Sequence, residues 1–265
     1  MKISIIGAGN MGGAIARGLS QGTVFSASDI SISDINEANR QAIKAFNPSI
    51  NCFESNSDCI AGADIVVLAV KPWLVEMVAN EISDKLDYSR QIILSIAAGV
   101  PVDQLRTLFP DKDEQGATIF RMIPNTAIDV RESFSCIASW NATEEQEALI
   151  LSIFNEVGKA MLVQESQMNA FMSLSSCGIA YVFRYIRAST EGAVELGLYP
   201  NVAKEVVLQT LKGAVALMEA NGTNPEVEID KVTTPGGITI KGLNEMEQAG
   251  FTASVIKGLK ASYLK

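Results

Sequence analysis

The chain has 265 residues, 48% of them hydrophobic, a formal net charge of -9 and no histidine. Such a length and apolar content support a sizeable core in one large or two smaller domains, and the negative charge works against partnership with nucleic acid or an anionic membrane surface. Without imidazole there is no Ser-His-Asp triad, no Cys-His nucleophile pair, no usual zinc hydrolase site and no histidine acid of the kind many hydroxy-acid dehydrogenases use. Cys52, Cys59, Cys136 and Cys177 have no C-x-x-C spacing, so reduced core thiols in a cytoplasmic protein are expected and a metal site is not. Met1-Lys2 leads directly into the first strand, and the longest apolar run, residues 65–70, is far too short to cross a bilayer.

In chain order, Ile3, Ile5 and Ile6 read as a buried strand, Gly7, Gly9 and Gly12 follow as G-x-G-x-x-G, and residues 13–19 continue as a helix. The first glycine permits a tight turn, the second a close backbone approach to a pyrophosphate, and the third helix-on-strand packing, with the helix N-terminus towards the phosphates. Alone the pattern is weak, because glycine is common. Its context strengthens it: a second strand, Ile30–Ser33, ends in Asp34, 22 residues beyond Gly12. Residues 35–46 read as a helix stopped by Pro48, Asn51–Phe53 as a short strand, and 64–70 as a strand buried on both faces. That strand ends in Lys71-Pro72, before a helix over residues 73–86. The next strand, 91–96, closes in Ala97-Ala98-Gly99-Val100, and Thr118–Ile123 ends in Pro124-Asn125-Thr126. A strand over 134–138, a helix opened by Thr143 with Gln146 as its capping box, and a strand over 160–163 complete a domain spanning residues 1–164. Alternating strands and helices specify a Rossmann-like α/β domain with a mostly parallel sheet. In such a sheet ligands sit beyond the C-terminal strand ends, where residues 7–12, 71–72, 97–99 and 124–126 would lie.

From residue 165 the apolar residues recur at helical spacing and no further strand is expected. Met168, Phe171, Met172 and Leu174 begin one stripe, residues 180–196 form a helix ended by Gly197, and Val202, Val206, Leu208, Leu211, Val215 and Met218 mark another. The last two helices, 238–249 and 251 to the terminus, break at Gly250. Small residues at Gly178, Ala180, Ala188, Gly192, Ala193, Gly213, Ala214 and Ala216 let helices approach closely, within a monomeric bundle or across a dimer; the frequency of homodimers favours the second.

Between these helices lies Val232-Thr233-Thr234-Pro235-Gly236-Gly237-Ile238-Thr239, a hydroxyl- and glycine-rich loop entering a helix. Free amides at the helix start and two threonine hydroxyls make an anion site, or else an N-cap and turn. Thr239 stands just inside the helix, where threonine has modest propensity.

That loop, continued by Gly242-Leu243 and Met246-Glu247, resembles the C-terminal signature of pyrroline-5-carboxylate reductases. Residues 7–12, Ala69-Val70-Lys71-Pro72, Ala97-Ala98-Gly99-Val100, Arg121-Met122-Ile123-Pro124-Asn125-Thr126 and Ala180-Tyr181-Val182-Phe183 also resemble the family's landmarks, so the likeness spans essentially the whole chain. It implies a Rossmann domain followed by an all-α dimerisation and substrate-binding domain (165–265), in a homodimer or an assembly of dimers. It also implies reduction of the cyclic imine 1-pyrroline-5-carboxylate to L-proline by a nicotinamide cofactor. Carried over by motif, Gly7, Gly9, Asn10, Met11, Gly12, Asn56, Val70, Lys71, Pro72 and Asn125 would line the cofactor, with Ala97 and Ala98 near the nicotinamide. Thr233, Thr234, Gly236 and Gly237 would receive the substrate carboxylate, and Thr239 would hydrogen-bond the imine nitrogen.

The chemistry suits a chain without histidine. A carbonyl needs a protein acid as hydride arrives, whereas a cyclic imine can arrive already protonated and become a neutral amine, so positioning replaces a strong acid. Two departures from the family pattern matter. Where many relatives carry Arg after the second strand, this chain has Ser33-Asp34-Ile35-Asn36; Asp34 would accept from ribose hydroxyls and repel a 2'-phosphate, favouring NADH with NADPH possible, or would instead cap the following helix. The second is Ser175-Ser176-Cys177-Gly178-Ile179 in place of Ser-Gly-Ser-Gly-Pro, which implies altered helix geometry. Lys71 and Arg121 are cations without a required chemical role, Arg121 being equally suited to a structural ion pair, and Glu191 with Glu195 fits a solvated helix face. A β-hydroxy-acid dehydrogenase would need a lysine early in the helical domain, and residues 164–183 contain none. A nucleotide-sensing module would not need the threonine-glycine loop.

Overall fold

In the computed structural model, which describes residues 1–112 and 115–263, the chain forms two units, Met1–Ser176 and Cys177–Lys265. The first is built on eight strands: β1 (Ile3–Ile6), β2 (Ile30–Ser33), β3 (Asn51–Phe53), β4 (Ile65–Leu68), β5 (Ile92–Ser95), β6 (Thr118–Ile123), β7 (Ser133–Trp140) and β8 (Gly158–Leu162). Their order is β3-β2-β1-β4-β5-β6-β7-β8, and β1 to β6 run parallel. Every residue of β1, β4 and β5 is buried, as their near-continuous apolar sequence requires. Alternation divides them between two cores: Ile3, Ile5, Ile65 and Val67 pack on one face with Ile15 and Leu19 of α1 (Asn10–Leu19), and Ile6, Val66 and Leu68 on the other with Val75, Val78 and Ile82 of α4 (Val75–Ile82).

The sheet is mostly parallel; β7 runs antiparallel to β6, and β8 runs parallel to β7. The connection over residues 124–132 holds only a 3-10 turn, Thr126–Val130, too short for the crossover a parallel partner needs. The capping box forms as expected at α6 (Glu144–Asn155): Gln146 N–H donates to Thr143 Oγ1 and Thr143 N–H to Gln146 Oε1. The helix expected over 73–86 is instead a 3-10 turn (Pro72–Leu74), α4 and a second 3-10 turn (Ser83–Lys85). The helix expected over 35–46 begins later, as α2 (Glu37–Phe46), with Asn36 as its cap. Two helices lacked a periodic signal because they are so short: α3 (Asn56–Ile60) and α5 (Val102–Leu108).

After α7 (Met168–Met172) comes a π-helical turn, Ser173–Cys177. Ser173 and Ser175 hydroxyls donate to the carbonyls four residues back, while Ser176 Oγ donates to Pro124 O, 2.7 Å away. These side-chain bonds compete with the regular ladder at the segment that departs from the family pattern.

The second unit holds α8 (Gly178–Glu195), α9 (Pro200–Asn221), α10 (Pro225–Lys231), α11 (Ile238–Gln248) and α12 (Phe251–Ala261). The reading of the last helix as reaching the terminus includes 264 and 265, which lie outside the described residues. Tyr181 Oη donates to Gly258 O and lies 3.0 Å from Ser262 Oγ, joining α8 to α12. Among the described residues of this unit only Ala203 is buried, whereas Phe183 is 58% exposed and Val215 56%. No helix among the described residues is long and apolar enough to cross a membrane.

Candidate active site

The glycine turn is built by contact and by vacancy. Gly7 has φ +105°, donates its N–H to Ser33 O at 2.7 Å, and leaves no room for a side chain: a Cβ there would stand 2.6 Å from Ala69 O. A Cβ on Gly12 would fall 1.9 Å from Gly7 O, so the turn and α1 touch backbone to backbone. Around Gly9 a Cβ would meet nothing within 4 Å. Gly9 caps α1 without a side-chain bond, and no acidic residue stands in the first helical turn, so the first amides of α1 have no side-chain cap and the space beside Gly9 is open. That is what an entering pyrophosphate requires, and the residues present therefore fit a dinucleotide.

The chain reverses its strand order at β1, flanked by β2 and β4, and the predicted cofactor residues follow the ends of these strands and of β3, β5 and β6. Asp34, beyond β2, accepts from Ala8 N–H (2.8 Å) and Asn39 Nδ2 (3.0 Å) on Oδ2 and from Asn36 N–H (2.8 Å) on Oδ1. The cap of α2 is Asn36, whose side chain accepts from Ala38 N–H, so Asp34 is not the N-cap. A carboxylate offers about four acceptor directions, which leaves roughly one for an incoming hydroxyl. Asn56 accepts from Ser33 Oγ and donates to Glu81 Oε2, each at 2.8 Å. Val70, Lys71 and Pro72 follow β4; Lys71 is exposed and caps a 3-10 turn, its Nζ having no partner among the described residues. Ala97 is buried and Ala98 exposed beyond β5, and Asn125 caps the turn after β6 through Ala127 N–H.

Arg121 forms the structural ion pair that the sequence left open. Its side chain is buried, and Nη1 lies 3.0 Å from Glu165 Oε1, which also accepts Val102 N–H at the start of α5. Glu191 pairs with Arg187 on an exposed face of α8. Arg40 and Glu54, which no spacing in the sequence singled out, belong to the surroundings of Asp34: Arg40 Nη1 donates to Asp34 O at 2.5 Å and Nη2 lies 3.5 Å from Glu54 Oε2.

In the second unit, Thr233 Oγ1 donates to Ile229 O at the end of α10, so that hydroxyl closes the preceding helix and does not cap α11. Gly236 has φ +71°. Gly237 caps α11 without a side chain, and a Cβ there would stand 2.7 Å from Thr234 Oγ1 and 3.0 Å from Thr234 O, so a side chain would crowd the turn. The first amides of α11 are left without a capping group, and Thr239 is exposed with no hydrogen bond of its hydroxyl among the described residues.

A glycine turn at a strand-order reversal, an acid after the second strand and a helical second unit define a two-part nicotinamide-dependent oxidoreductase. Residues 2–99 match the family model described as NADP oxidoreductase coenzyme F420-dependent, and residues 165–265 the one described as pyrroline-5-carboxylate reductase dimerisation. The chain is 34% identical over 259 residues to the pyrroline-5-carboxylate reductase of Methanosarcina acetivorans, covering 97% of this chain and 94% of that protein. It is 33% identical to pyrroline-5-carboxylate reductase 1 of Dictyostelium discoideum, over 98% of this chain but 48% of that longer protein. The crystal structure of Plasmodium falciparum pyrroline carboxylate reductase with NADP bound superposes with a TM-score of 0.88 at 27% identity, covering 99% of this chain and 95% of that one. This chain belongs to the pyrroline-5-carboxylate reductase family.

Proposed function

We infer that the chain reduces 1-pyrroline-5-carboxylate to L-proline, the last step of proline biosynthesis, as an oxidoreductase acting on a CH–NH bond. The observation that carries this reading is the start of α11, where uncapped amides, a tight turn at Gly237 and a Thr239 hydroxyl with no hydrogen bond among the described residues stand together. Thr234, Gly236 and Gly237 receive the carboxylate, whose negative charge is stabilised by the positive end of the helix, while Thr233, with its N–H and hydroxyl on carbonyls of α10, holds the loop in place. Thr239 hydrogen-bonds the ring nitrogen. The dihydronicotinamide, when bound, supplies the hydride that adds to C5 of the protonated imine.

Gly7, Gly9, Asn10, Met11 and Gly12 hold the pyrophosphate, Asp34 and Asn56 the adenosine end, and Val70, Lys71, Pro72 and Asn125 the remaining length. Ala97 and Ala98, small residues beyond β5, would leave room for the nicotinamide. With the C=N electron pair moving onto nitrogen, no side chain has to deliver a proton during hydride transfer, which is consistent with a chain lacking histidine. Asp34 gives a preference for NADH, because its carboxylate accepts from a 2'-hydroxyl and repels a 2'-phosphate. The exposed apolar side chains of the second unit support a homodimer or an assembly of dimers, and four unpaired cysteines suit a reducing cytoplasm. Incubating the protein with the imine and either NADH or NADPH tests the reading: cofactor oxidation matched by proline is expected, faster per unit concentration with NADH. Folded protein that binds NADH and yields no proline contradicts it.

A further inference from the structure

We propose that Glu54 is a specificity-determining residue for the cofactor, acting through Arg40. The proposal rests on the reading of Asp34 as the residue facing the adenosine ribose. Arg40 is the guanidinium that reaches Asp34, through the bond from Nη1 to the Asp34 carbonyl, and its side chain is only 18% exposed. Its other terminal nitrogen, Nη2, is turned to Glu54 at 3.5 Å, from the segment that follows β3. A guanidinium at the adenosine end is the group that would bind a 2'-phosphate through paired hydrogen bonds. Here it is committed elsewhere: one nitrogen to a backbone oxygen, the other to a carboxylate. Glu54 thus acts twice against a phosphorylated ribose, by holding the cation and by adding its own negative charge.

The two acids of this corner differ in how firmly they are held. Asp34 is fixed by three donors from two elements. Glu54 is 78% exposed, and an exposed pair of this length holds Arg40 only weakly. Removing Glu54 therefore releases Arg40 at little structural cost, but a phosphate gains from the release only after the Asp34 charge is also gone. The two substitutions should be non-additive, and the excess should depend on Arg40.

Calorimetric titration with AMP and with adenosine 2',5'-bisphosphate reads this without turnover. We expect wild type to bind the bisphosphate no better than AMP and Asp34→Ser to narrow the gap. Asp34→Ser/Glu54→Gln should bind the bisphosphate about tenfold more tightly than Asp34→Ser alone. Adding Arg40→Met should remove most of that gain, leaving only the part due to the Glu54 charge itself, while AMP binding persists, which also reports that the crevice is folded. Asp34→Asn, which keeps an acceptor for the Ala8 or Asn36 amide, replaces Asp34→Ser if the latter fails to fold. A gain from Glu54→Gln that is equally large in the Arg40→Met background, or no gain at all, overturns the proposal. Tight bisphosphate binding by wild type overturns instead the reading of Asp34 on which it rests.

Discussion

Thr239 carries the chemical claim at the scale of single residues. Its hydroxyl is exposed at the start of α11 with no hydrogen bond among the described residues, so Thr239→Ala removes a hydrogen bond to the substrate and little else. Losing a bond to a charged group costs about 1.5–3 kcal/mol, and kcat should fall roughly ten- to a hundredfold with the Kd for NADH unchanged. Steady-state kinetics beside a cofactor titration check this, and an unaltered kcat removes Thr239 from the mechanism. Gly12 makes the complementary case. Gly12→Ala sets a methyl group against Gly7 O, and loss of NADH binding is the expected result by titration. Gly7 and Gly12 were legible in the sequence because a side chain at either would strike backbone. The ring of bonds around Asp34 was not, since Ala8, Asn39, Arg40 and Glu54 meet there only after β1, β2, β3 and α2 have packed.

At the scale of elements, the turn between α10 and α11 and the junction of α9 with α10 frame the candidate substrate loop. Gly237→Ala forces apart a contact with Thr234, so kcat/KM for the imine should fall while NADH binding persists. The α9–α10 junction is held by Glu228, whose carboxyl accepts from Lys231, Thr223 and Asn221. The hydrogen bond from Lys231 first, then those from Thr223 and Asn221, hold its pKa down at about 2, below the ordinary 4.5. A carboxylate with a lowered folded pKa contributes stability that is fully present above pH 4.5 and lost as pH falls towards 2. The protection of the α10 amides, measured against the intrinsic exchange rate at each pH, should therefore fall across that window in the native chain, and the Glu228→Gln variant should lack that dependence. Periodicity disclosed the long helices α8, α9 and α11, but α10 has seven residues, too few for a repeating stripe; its signals were Asn224 and Pro225. The antiparallel course of β7 was likewise hidden, because connection length, not strand composition, decides it.

For the whole molecule, the change from alternating strands and helices to helices alone was plain in the sequence, since period 2 gives way to period 3.6. What periodicity did not disclose is how few of those helical residues this chain buries by itself. A helical unit in which Ala203 alone is buried among the described residues exposes apolar side chains that a second copy would cover. Thermal unfolding should then depend on protein concentration, with Tm rising as concentration increases; a Tm independent of concentration together with monomer mass in sedimentation contradicts the dimer. The central claim is hydride delivery to C5 of the imine. Its most direct test uses NADH carrying deuterium on the transferred position of C4, with mass spectrometry and NMR of the proline formed. The account predicts one deuterium per proline, at C5; unlabelled proline, or no proline from protein that binds NADH, would contradict it.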